Sequence, residues 1–85
     1  MSQNGTQQKI REFIVENFLF GSDDGLEDKT SFLESGIIDS TGILELVTFL
    51  EEEFEISVED EELIPENLDS IVNVVNYLEN KLHPN

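Results

Sequence analysis

Apolar residues recur at helical spacing in three stretches of this chain. From Gln7 to Phe20, Ile10, Phe13, Ile14 and Phe18 fall three and four residues apart, which predicts a first helix with Gly21 as its stop. A second amphipathic helix runs from the Asp39-Ser40 step to Phe54, with Ile43, Leu46, Val47, Leu50 and Phe54 on one face. A last helix, capped by Asp69 or Ser70, carries Ile71, Val74, Val75, Leu78 and Leu82 on one stripe. Lys81, His83 and Pro84 mark its end. Two connections join these helices. Ser22 to Asp39 reads as a long loop, with Phe32, Leu33, Ile37 and Ile38 to pin it to the core. Ser57-Val58-Glu59-Asp60 opens a short helix, with Ser57 as cap and Pro65 forcing an early end. The expectation is an all-α, small four-helix bundle: three main helices, one short helix, and a long loop between the first two. It forms a single domain over residues 1–85, frayed at 1–6 and 83–85.

Composition narrows the chemistry. Four Lys and Arg stand against 20 Asp and Glu, a formal charge of −16. That balance repels nucleic acid and anionic membranes and favours basic protein surfaces. The regular apolar spacing argues against disorder despite the charge. There is no cysteine, hence no disulfide, no thiolate metal site and no cysteine nucleophile. The lone His83 sits at the C-terminal end beside Pro84, away from any partner for acid–base chemistry. Asp23-Asp24-Gly25 lacks the alternating ligands and distal glutamate of a calcium loop, so no metal site is expected. No apolar run reaches membrane-spanning length, and the polar N-terminus has no signal-peptide pattern; the expected compartment is the cytoplasm. No histidine–serine–acid set is readable, and a catalytic role is not expected.

The candidate chemistry lies at Gly36-Ile37-Ile38-Asp39-Ser40. A serine hydroxyl and a carboxylate stand where loop becomes helix. A helix start presents N–H groups and the positive end of the helix dipole, a field that suits a phosphate. Helix capping by Asp39 or Ser40 is the simpler reading of the dipeptide by itself. Beyond it, Thr41, Leu44, Glu45, Thr48, Glu51 and Glu52 fall on the side of the second helix opposite its apolar stripe or on its flanks. Leu44 is an apolar residue on the polar side, ringed by acids, a pattern suited to docking a basic groove.

From about Lys9 to Leu82 the chain resembles the acyl carrier protein family. The most specific parts are Gly36-Ile37-Ile38-Asp39-Ser40, Glu45-Leu46-Val47 and Leu50-Glu51-Glu52-Glu53-Phe54, followed by Leu68-Asp69-Ser70-Ile71 and Tyr77. It looks closest to stand-alone carriers. The resemblance implies an acyl-carrier-like bundle and a 4′-phosphopantetheine arm on Ser40, transferred from coenzyme A by a phosphopantetheinyl transferase. The terminal thiol of the arm would hold its cargo as a thioester. Asp39 would help position the transferase and its metal, and Thr41, Leu44, Glu45, Thr48, Glu51 and Glu52 would meet partner enzymes. Those partners would be an acyl-adenylate ligase or acyltransferase and the downstream enzymes of fatty acid, polyketide or related secondary-metabolite synthesis, with the carrier itself a monomer. Two positions depart from the family pattern. Thr41 replaces the common leucine after the serine, and Gly42 replaces an acidic position and is expected to weaken the helix by up to roughly 1 kcal/mol. Phe49 is bulkier than the residue fatty acid carriers often place there, which suggests less room for a long acyl chain.

Two further readings stay open at this level. One is an aminoacyl or peptidyl carrier loaded by an adenylating ligase. The other, of a different class, is an unmodified acidic docking domain, which would not need the Ser40 hydroxyl.

Overall fold

A computed structural model describes residues 2–21 and 26–82, with side chains described from Gly5 onward. The Asp23-Asp24-Gly25 cluster and His83-Pro84 lie outside the described residues. The elements, in chain order, are α1 (Ser2–Phe18), α2 (Phe32–Ser35), α3 (Ser40–Phe54), a 3-10 turn (Asp60–Glu62), α4 (Pro65–Leu68) and α5 (Ile71–Leu82). No strand occurs among the described residues. The three long helices α1, α3 and α5 make the bundle, as the apolar spacing predicts. α1 begins at Ser2, earlier than the expected start near Gln7.

The core draws on the helices and on the loop between α1 and α3. Ile10 and Ile14 of α1, Leu46 and Leu50 of α3, and Ile71, Val74 and Leu78 of α5 are at most 1% exposed. Full burial of each such side chain stabilises the fold by roughly 1.5–3 kcal/mol. The connecting loop supplies Leu26, Phe32 and Ile38, so it is a core element in spite of its irregular backbone. Leu82 was expected on the buried stripe of α5 but is 41% exposed, because the last turn of that helix runs past the core.

Local chemistry explains where each element starts and stops. α2, a turn not anticipated from sequence, begins where the Ser31 hydroxyl accepts the Glu34 N–H. It ends at Gly36 with φ 80°, a left-handed conformation that costs glycine little. The expected short helix after Ser57 is instead two single turns. Glu62 Oε1 accepts the Glu59 N–H at the first, and Pro65 occupies the first position of the second, where its missing N–H is harmless. Proline therefore starts a helix here, where the sequence reading had it ending one. At α5, Ser70 is the cap: its hydroxyl accepts the Asn73 N–H at 3.1 Å.

Asp69, freed from capping, latches the loop. Its carboxylate accepts from the Ser31 hydroxyl and from the Leu33 N–H at 2.9 Å, while its carbonyl accepts the Phe32 N–H at 2.7 Å. A second latch holds the other end of the loop. Asp28 accepts from Arg11 Nη2 at 2.6 Å and from Gln7 Nε2, and its carbonyl takes the Val72 N–H at 2.9 Å. These two aspartates fix the segment that delivers the chain to the start of α3.

Candidate functional site

Asp39 is the N-cap of α3, with extended backbone, and its Oδ1 accepts the Gly42 N–H at 2.8 Å. Ser40 is the first helical residue. Because Asp39 performs the capping, the Ser40 hydroxyl is left exposed and makes no hydrogen bond among the described residues. The capping reading of Asp39 and an available Ser40 hydroxyl are thus compatible, and the first makes the second possible. The positive end of the α3 dipole lies at this hydroxyl.

Ser40 also lines an open apolar cleft of about 330 Å³. Leu33 of α2, Ile43 and Leu44 of α3, and Leu63, Ile64 and Leu68 of the 63–68 segment form most of its wall. Leu33, Leu44 and Ile64 are large apolar side chains that are 42%, 57% and 39% exposed, clustered round one hydroxyl. The residues therefore fit a serine-linked prosthetic group with a phosphodiester at the helix start and an apolar wall beside the attachment point. Sequence reasoning found Leu44 but missed Ile64 and took Leu33 for a core pin. The available signal was the Leu63-Ile64-Pro65 run, an apolar step held extended before a proline.

The other residues singled out on this helix separate into distinct settings. Thr41, Glu45 and Glu52 are exposed. Thr48 is exposed too, but its hydroxyl donates to the Leu44 carbonyl at 3.0 Å. Glu51 is half-buried and accepts the Val58 N–H at 2.9 Å, so its carboxylate organises the chain leaving α3. Phe49 stacks on Phe13 of α1 at 4.2 Å between ring centroids, edge-on to Phe54. Its bulk is taken up between α1 and α3 and does not line the Ser40 cleft.

Gly42 has a role that its helix propensity did not suggest. It is buried, and a Cβ there would stand 2.7 Å from Ile38 Cγ2, 2.8 Å from Phe18 Cε1 and 3.4 Å from Asp39 Oδ1. The roughly 1 kcal/mol of helix propensity that alanine would return is offset by overpacking of about 1–3 kcal/mol. Glycine is present because α1 closes against the first turn of α3.

A second cleft, about 420 Å³, lies between the 3-10 turn and α5, and two of its charged groups, Glu62 and Lys81, are paired with each other. Lys81 Nζ meets both Glu62 carboxylate oxygens at 2.9 and 3.1 Å, and the Tyr77 hydroxyl donates to Glu62 Oε1 at 2.8 Å. Lys81 above all, then the Glu59 N–H, lowers the Glu62 pKa from an ordinary 4.5 to about 2. Burial, reinforced by the Glu62 carboxylate, raises that of Tyr77. Hydrogen bonds from Arg11 and then Gln7 hold Asp28 below its ordinary value. All three groups serve the fold. No cluster of three or more acids or histidines among the described residues is placed to hold a metal ion, and none of the helices searched is long and apolar enough to cross a membrane.

Comparison with known proteins agrees with this geometry. Residues 8–78 match the family model described as "Phosphopantetheine attachment site". An acyl carrier protein of Akkermansia muciniphila is 40% identical over 79 residues, covering 93% of this chain and 95% of that protein. One of Bdellovibrio bacteriovorus is 38% identical over 74 residues, covering 86% and 90%. A Serratia sp. protein named "Probable acyl carrier protein PigG" is 34% identical over 79 residues, covering 92% and 91%. With an exposed serine at a capped helix start, an apolar cleft beside it and relatives matched nearly end to end, this chain belongs to the acyl carrier protein family, whose covalent prosthetic group is 4′-phosphopantetheine.

Proposed function

We propose that Ser40 carries the 4′-phosphopantetheine group and that the protein ferries an acyl intermediate between synthase enzymes in the cytoplasm. The observation that carries this reading is the Ser40 hydroxyl: exposed, unbonded, at the start of α3 and on the wall of the apolar cleft. When bound, the group supplies a thiol that holds an acyl chain as a thioester. The protein contributes placement and recognition, and catalysis belongs to its partners. Asp39 fixes the turn that presents Ser40 and leaves its carboxylate exposed for the transferase and that enzyme's metal. Exposed Leu44, with Thr41, Glu45 and Glu52, offers partners an apolar contact within an acidic surround. The proposed partners are a phosphopantetheinyl transferase, an acyl-adenylate ligase or acyltransferase, and enzymes of fatty acid, polyketide or related secondary-metabolite synthesis. An acyl rather than aminoacyl cargo is favoured by the names of the relatives, which are acyl carrier proteins.

Intact mass tests the assignment. Incubation of apo protein with coenzyme A, magnesium and a broad-specificity phosphopantetheinyl transferase should add one phosphopantetheinyl group, and Ser40→Ala should add none. A Ser40→Ala variant that still gains the group would move the attachment elsewhere.

A further inference from the structure

The first turn of α3 is clamped by α1 at a point two residues beyond Ser40. Gly42 is buried there while Ser40 and Thr41 on the same turn are exposed. Two groups leave no room for a side chain at Gly42, one from α1 and one from the chain just before Ser40, and the Asp39 carboxylate stands beside them at contact distance. Phe18 comes from the last turn of α1, whereas Ile38 and Asp39 are the two residues immediately before Ser40. Phe18 is itself held, meeting Phe13 edge-on at 5.9 Å. We infer that Gly42 and Phe18 form a positioning pair that sets the presentation of the Ser40 hydroxyl to the enzyme that modifies it.

The physical argument is one of shared space. Asp39 Oδ1 caps Gly42 at 2.8 Å, and a Cβ on residue 42 would lie 3.4 Å from that same oxygen while pressing on Ile38 and Phe18. Any adjustment that admits the Cβ must move the Phe18 ring, the Ile38 side chain or the first turn of α3 itself. A shift of that turn, or of the backbone at Ile38, is passed to Ser40 along the chain. Ile38 has little freedom to yield, being 1% exposed with its N–H bonded to the Phe32 carbonyl at 3.2 Å. Phe18 is half-buried and held edge-on by Phe13, so the displacement is shared between its ring and the turn that carries Ser40. The pair thus couples the closing of α1 to the geometry of a hydroxyl that α1 does not touch.

This inference rests on Ser40 being the modified residue, and the experiment separates the two. Transfer from coenzyme A is timed by intact mass for wild type, Gly42→Ala, Phe18→Leu and the double variant, each well below its own Tm. Gly42→Ala should slow transfer on the order of tenfold, with the loss in kcat rather than KM, because the hydroxyl is displaced while the exposed face of α3 is unchanged. Phe18→Leu, which lacks the Cε1 atom, leaves a gap over Gly42 and should slow transfer by a smaller factor. In the double variant the alanine methyl fills that gap, so transfer should be faster than in either single variant. Wild-type rates in both single variants would overturn the pairing, as would a double variant no faster than Gly42→Ala. If Gly42→Ala is too unstable to assay, Phe18→Leu decides, and an unchanged rate overturns the inference. Failure of wild type to accept the group would instead remove the Ser40 assignment.

Discussion

Two sets of acids occupy this molecule, and they do opposite work. Glu45 and Glu52 on the outward face of α3 are exposed and take no part in the hydrogen bonds or ion pairs of the described residues. Asp28, Asp69 and Glu62 each accept at least three hydrogen bonds through their carboxylate or carbonyl groups and hold distant segments together. Of the four cations, Arg11 and Lys81 pair with Asp28 and Glu62, Lys9 with Glu53 of α3, and Lys29 is exposed with no ion pair among the described residues. The excess negative charge is therefore carried by acids without a cation, Glu45 and Glu52 among them. In a chain of charge −16, the charge itself says little about the job of any one acid; its partners decide that.

The comparison breaks most visibly at Asp69. Asp69→Ala strands the Ser31 hydroxyl and the Leu33 N–H, and should cost about 2 kcal/mol of stability. In a domain of 85 residues that is a fall in Tm of roughly 10 °C by calorimetry. The α2 turn that supplies Leu33 to the cleft should loosen with it.

Glu62→Gln should act next, lowering Tm by roughly 5 °C at pH 7, about the worth of one charge-assisted bond in this partly exposed setting. Its pH dependence sharpens the test. The folded-state pKa of Glu62 lies near 2, below the ordinary 4.5, so the folded state binds fewer protons in between. The stabilisation is complete above about pH 4.5 and is lost as pH falls toward 2. The gap between wild type and Glu62→Gln should accordingly close across that window in urea melts; a constant gap would mean that Glu62 acts by shape alone.

The smallest effect on stability, and the clearest contrast, belongs to the outward acids. Glu45→Gln with Glu52→Gln should leave Tm within the range of about 0.5 kcal/mol per site typical of surface changes. The same pair should slow encounter with a basic partner such as the transferase at low salt, and the difference should fade as salt rises. Stopped-flow association at two ionic strengths reads it. If instead the pair destabilises the fold as Glu62→Gln does, the division between the two sets of acids collapses.

The sequence by itself determined the bundle and the start of its second long helix at Asp39-Ser40. Three helices were legible because burial imposes a 3.6-residue period on Ile10 and Ile14, on Leu46 and Leu50, and on Ile71, Val74 and Leu78. The Asp39-Ser40 step was legible because helix starts have local chemistry. What lies between residues far apart in the chain was not. Nothing local marks Asp69 as the partner of Ser31, 38 residues away, or Glu62 as the partner of Lys81, 19 away. Nor does propensity reveal that Gly42 is small because Phe18 of another helix lies on it. Glu51, read from the helical wheel as a docking acid, also accepts the Val58 N–H from the segment after α3, a contact that the wheel does not show. Periodicity is a property of one segment and survives without its neighbours. Hydrogen-bond partners, cleft walls and the room allowed a single Cβ exist only once the helices have closed on one another.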